Sequence, residues 1–112
     1  MIGNDLIDLQ LAKSQSNWQR KGFLEKQFTD SEIVEILSSE NPFLQVWLFW
    51  SMKEAAYKCY TQEFQKRFFA PKKFFCTMIS KNTGIVSVEN QQYFSKSEIS
   101  TFFIHTIAKK ED

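Results

Sequence analysis

Cysteine is scarce in this chain of 112 residues: Cys59 and Cys76 are the whole complement, too few for a disulfide framework. A reducing cytoplasm is the compartment this implies. An excess of one charge is also missing, since fourteen Lys and Arg face thirteen Asp and Glu, for a formal net charge of +1. Without a global basic field, and without an RNA-type aromatic motif on its strands, the chain is a poor nucleic-acid binder. Long apolar runs are absent as well. The longest, Val46 to Trp50, falls far short of the ~20 residues of a membrane span. The N-terminus lacks the basic-then-apolar order of a signal peptide, because Asn4, Asp5 and Asp8 interrupt it. No internal repeat or low-complexity linker divides the chain. A single cytoplasmic domain over residues 1–112 is expected, with neither nucleic acid nor membrane as partner.

Aromatic residues are what the sequence has in abundance. Twelve Phe, three Trp and three Tyr make up 16% of it. Such rings either fill a core or form surface meant for a partner subunit or ligand, and composition leaves both readings open.

Along the chain, Ile2 to Leu9 reads as an opening strand, with Gly3, Asp5, Ile7 and Leu9 sharing one face. Gln10 to Phe28 is polar at first and then basic. Thr29 with Glu32 three residues on has capping-box spacing, which predicts a short helix from Asp30 to about Ser39 with Ile33, Ile36 and Leu37 as its apolar side. The longest helix is expected from about Phe43 to Gln65, with Leu44, Leu48, Met52, Ala55 and Cys59 as its core stripe. Trp47, Trp50, Glu54 and Lys58 lie on a neighbouring stripe. Beyond Pro71 the pattern turns to period two: a strand Lys73 to Ser80, a turn Lys81 to Gly84, a strand Ile85 to Asn90 and a last strand Thr101 to Ala108. The fold class is therefore α+β: an N-terminal strand, helices including one long one, then an antiparallel sheet. The last strand runs into Lys109-Lys110-Glu111-Asp112 with nothing after it to close the sheet. Its exposed edge is expected to need another subunit or further chain.

Three charged groups carry the chemistry. Asp5 lies in an otherwise apolar strand, where a lone carboxylate is costly unless a cation meets it. Glu54 and Lys58, four apart on the long helix, share a face. They form either a surface pair or a carboxylate that joins Asp5 on a divalent cation, with Lys58 beside it for a phosphate. Oxygen ligands and an incomplete shell suit Mg²⁺.

The segments "GNDLIDL" (Gly3 to Leu9) and "WSMKEAAYK" (Trp50 to Lys58) resemble the two signature segments of the 4′-phosphopantetheinyl transferase superfamily, and "RKGFLEKQFTDSE" (Arg20 to Glu32) looks like its Arg-rich stretch. The resemblance is close from Gly3 to Lys58 and loose after Pro71. It implies Mg²⁺-dependent transfer of 4′-phosphopantetheine from coenzyme A to a serine of an acyl or peptidyl carrier protein, releasing 3′,5′-ADP, in the manner of a holo-acyl-carrier-protein synthase. By resemblance, Asp5 and Glu54 are the metal ligands, Lys58 contacts the coenzyme A phosphates, and Lys53 matches an adjacent lysine for phosphate contact or proton handling. Glu54 ranks ahead of a metal-bound water as acceptor of the serine proton. His105, in "FIHT", is a weaker match to a late strand segment that contacts coenzyme A. Asp8 faces away from Asp5 in an extended strand and is assigned a structural or helix-capping role. Lys13, Arg20, Lys21 and Lys26 form a local basic patch suited to an acidic carrier protein. Short relatives form trimers with sites between subunits, so a homo-oligomer is expected, a trimer before a dimer. The alternative is an inactive coenzyme A or carrier-binding module, or a fragment of a longer transferase.

Overall fold

The computed structural model describes residues 1–67 and 69–110. Strand β1 (Ile2–Asp8) opens the chain and is followed by α1 (Leu9–Gln15), α2 (Phe23–Gln27), α3 (Asp30–Ser38) and α4 (Pro42–Phe64). A short 3₁₀ turn (Pro71–Lys73) leads into β2 (Phe75–Met78), β3 (Thr83–Val88), β4 (Gln91–Ile99) and β5 (Phe103–Lys110). The five strands form one antiparallel sheet in the order β1-β5-β4-β3-β2. Among the described residues no helix is long and apolar enough to cross a membrane.

Local chemistry sets the helix starts. Asp8 ends β1 and caps α1, its Oδ1 accepting from the Leu11 N–H at 3.0 Å, which is the capping role expected for it. The capping box at Thr29 and Glu32 is formed in both directions. Pro42 begins α4 behind an Asn41 cap, where its missing N–H is no loss.

Helix α4 lies across one face of the sheet, and α2, α3 and the 3₁₀ turn cover its other flank. It is therefore buried nearly all round, from Val46–Phe49 to Tyr60, and its core face is much wider than the single stripe in the sequence. Rings fill that core: Phe28, Phe49 and Tyr93 have no exposed surface. Phe75, Phe102 and Phe103 stay exposed, so the core takes up many of the rings but not all of them. Leu37 departs from expectation. It is 59% exposed, and the buried side of α3 is made by Ile36 and Glu32.

Two features of the sheet correct the sequence reading. Strand β4 has no counterpart among the expected strands. The last strand is also not an edge, because β5 sits between β1 and β4, with Gly3 opposite Ala108 and Ser97 opposite Thr106. The free edges belong to β1 and β2. Glu111 and Asp112 lie outside the described residues.

Candidate active site

The site forms where β1 crosses α4. Gly3 makes that crossing tight: a Cβ there would lie 2.0 Å from the Ala55 carbonyl oxygen and 2.6 Å from the Cys59 nitrogen. Only a residue without a side chain allows this approach. Two residues further along the same face of β1, Asp5 points at α4. Glu54 and Lys58 flank Ala55 and meet it from the helix.

Asp5 is buried, with 8% of its surface exposed, and lies opposite Thr106 in the sheet. Its Oδ1 accepts from Lys58 Nζ at 3.3 Å, a long ion pair in which the lysine is 48% exposed. Its Oδ2 is buried and has no hydrogen-bond partner. Glu54 is half-buried beside it. Burial raises the Glu54 pKa above the ordinary carboxylate value, the Asp5 charge raises it further, and Lys58 pulls it partly back. Two carboxylates that repel one another, one with an orphaned buried oxygen, form a donor set that a hard divalent cation satisfies. Among the described residues no third carboxylate, histidine or cysteine completes a larger cluster. Beneath the acids, Ser51 Oγ and Ser97 Oγ each lie 2.8 Å from Thr106 Oγ1, a buried hydroxyl chain joining α4 to β4 and β5.

Lys53 was expected to contact phosphate or handle a proton, and the structure places it in the interior. It has no exposed surface, and its Nζ lies 2.9 and 3.0 Å from the Glu32 carboxylate oxygens, 2.8 Å from Pro71 O and 2.7 Å from Phe74 O. An ammonium has three protons to donate, so none remains for a ligand. Glu32 in turn accepts the Cys76 N–H at 2.7 Å while completing the cap of α3. The pair ties α3, α4 and the start of β2 together. Sequence reasoning saw Glu32 only as a local cap, and the capping-box spacing carried no sign of its longer reach.

His105 is also separated from the acids. Ile104, Thr106 and Ala108 are buried under α4, so alternation turns His105 with Phe103 and Ile107 to the opposite face of the sheet. Its sheet neighbours there are Leu6 and Glu98. The four basic residues Lys13, Arg20, Lys21 and Lys26 are all exposed, in and between α1 and α2, with the Arg20 guanidinium 4.7 Å from the centre of the Phe23 ring.

The sequence pattern of the 4′-phosphopantetheinyl transferase superfamily matches residues 1–108. Searching the curated proteins gives no match. Several solved structures share the fold. Holo-[acyl-carrier-protein] synthase from Helicobacter pylori, crystallised with coenzyme A, aligns at a TM-score of 0.74 and 16% identity over 99% of this chain and 100% of its own. The apo-ACPS of Chronobacterium ammoiniagenes gives 0.75 at 12% identity, covering 96% of this chain and 93% of its own. The synthase from Neisseria meningitidis gives 0.71 at 10%, covering 99% and 97%. At such identities the likeness is one of fold, and the family match supplies the rest: this chain belongs to the 4′-phosphopantetheinyl transferase superfamily.

Proposed function

We propose that the protein transfers the 4′-phosphopantetheine arm of coenzyme A to a serine hydroxyl of an acyl or peptidyl carrier protein in a Mg²⁺-dependent reaction. The observation that carries this reading is the buried, unpartnered Oδ2 of Asp5 beside Glu54, with Lys58 at the rim. Asp5 and Glu54 would hold the cation, and Mg²⁺ bound there supplies charge stabilisation for phosphoryl oxygens. The serine oxygen forms a bond to the β-phosphorus of coenzyme A, and the bond from that phosphorus to the bridging oxygen breaks. Glu54, whose burial raises its affinity for a proton, accepts the one the serine loses. Lys58 faces solvent on one side and Asp5 on the other, so its ammonium can meet the charge that develops on the leaving 3′,5′-ADP. Lys53 holds the helix that carries Glu54 and touches no substrate.

The basic patch on α1 and α2 receives the acidic carrier. The face of the sheet turned away from α4 packs against other copies of the chain, in a trimer in preference to a dimer. Mixing the protein with coenzyme A, Mg²⁺ and an apo carrier protein, then weighing the carrier, tests the proposal. Added phosphopantetheine mass is the expected result, and unchanged mass across fatty-acid, polyketide and peptide carriers overturns it. Uptake of coenzyme A without modification would identify a binding module instead.

A further inference from the structure

A groove of about 310 Å³ runs along the free edge of β1, with Gly3 and Asn4 on one wall and Lys58, Thr61 and Arg67 on the other. How Arg67 arrives there is a matter of backbone geometry. Gln65 caps α4 in the left-handed region at φ 58°, its N–H donating to Thr61 O at 2.9 Å, and this turn brings the next residues back beside the helix end. Arg67 is exposed, and among the described residues it makes no ion pair. Among the described residues no carboxylate lines the groove. A chain whose total charge is only +1 therefore places two cations on this groove, Lys58 partly offset by its long pair with Asp5 and Arg67 with no acid beside it among the described residues. Lys58, which also pairs with Asp5, is the side chain that the groove shares with the acidic pair.

We infer that Arg67, together with Lys58, clamps a phosphate group of the substrate at the mouth of the site. The assignment rests on the transferase reading and names a residue outside the signature segments. A guanidinium presents a planar fork of donors that suits two phosphate oxygens, whereas Lys58 supplies a compact point charge. The unpaired side of β1 leaves room for the ligand between them.

Calorimetric titration of the 112-residue chain with inorganic diphosphate, without divalent cation, tests the inference directly. Arg67→Gln is expected to weaken diphosphate binding about tenfold, one charge-assisted contact in a partly screened site. Lys81→Gln removes an equal charge from the exposed β2–β3 turn and is expected to change binding by less than about twofold. In the unmodified protein, the Arg67 Nε–H resonance should shift as diphosphate is added, a readout that needs no variant. Absent binding by the unmodified protein, a static Arg67 resonance, or an Arg67→Gln effect no larger than that of Lys81→Gln each overturns the clamp. Failure of the transferase reading appears elsewhere: diphosphate bound through Arg67 with no carrier modified refutes the reaction and leaves the anion site standing.

Discussion

Lys53 and Lys58 stand five residues apart in one signature segment, and their surroundings give them opposite tasks. Lys53 neutralises a carboxylate in the interior, so Lys53→Met should strand the Glu32 charge and destabilise the fold by about 3–5 kcal/mol. Lys58 is half in solvent but is the cation that meets the buried Asp5 carboxylate, so Lys58→Ala should cost about 1–2 kcal/mol, well short of the Lys53 variant. Its transfer rate should nonetheless fall by about tenfold or more. Urea denaturation and carrier-mass kinetics on the two variants separate these outcomes, and a stable Lys53→Met protein would contradict the burial argument. Glu54 makes a second contrast. Its folded pKa lies above its unfolded value, so between the two values the native state holds a proton that unfolding releases. Stability therefore falls as pH rises through that window, and the deficit persists above it. Glu54→Gln removes the ionisation. Without divalent cation its melting temperature should exceed that of the unmodified protein at neutral pH and converge with it in acid, while transfer drops by about a hundredfold or more. Thermal melts across the acidic-to-neutral range check the sign.

At the scale of elements, the crossing of β1 and α4 is the dimension on which the site depends. Gly3→Ala would drive a methyl group into the Ala55 carbonyl, and both contacts are backbone, so strand or helix must shift. A loss of about 3 kcal/mol is expected, at the upper end for overpacking. Activity per folded molecule should fall as well, because Asp5 and Glu54 ride on the two elements that separate; denaturation curves with rates corrected for folded fraction would show both. The elements that were legible in sequence carry strong local signals: alternation in β1, the capping box of α3, the apolar spacing of α4 and the β2–β3 hairpin. Strand β4 was not legible because its α4-facing positions are Tyr93, Ser95 and Ser97. The two serines are small enough for the helix to lie close, and small polar residues erase the alternation of large apolar ones that marks a strand. Helix α1 buries only Leu9 and Ala12, too little for a helical stripe. The position of β5 was illegible for another reason. Its neighbour β1 lies at the other end of the chain, and nothing local in either strand records that they pair. Of the candidate site, residue type and spacing marked Asp5, Glu54 and Lys58 only as possibilities beside a plain surface pair, and it was the resemblance of their two segments to the family that gave them roles. The burial of Lys53 and the outward turn of His105 depend on packing and on strand register.

For the whole molecule, the sheet face turned away from α4 is the unbalanced surface. Leu6 is 64% exposed and Ile107 42%, with Ile2 and Phe103 beside them across β1 and β5. A net charge of +1 offers little repulsion between copies. The face lies on the side of these two strands opposite Asp5, so a copy docked there would reach the site only around the free edge of β1, and His105 could then meet only a ligand held by a neighbouring copy. Self-association through this face predicts that Leu6→Lys with Ile107→Lys dissociates the protein. Exposed positions of this kind change folding stability by about 0.5 kcal/mol or less, so the variant should fold and stay at the monomer mass of 13.3 kDa. Sedimentation equilibrium at micromolar concentration should give the unmodified chain a multiple of that mass, three before two. If coenzyme A is bound between copies, the dissociated variant also loses transfer at concentrations where the parent is active, although its own Asp5, Glu54 and Lys58 are untouched. A parent chain that sediments as a monomer at every concentration would instead leave this apolar face to a different partner, and the site would have to work within one protomer.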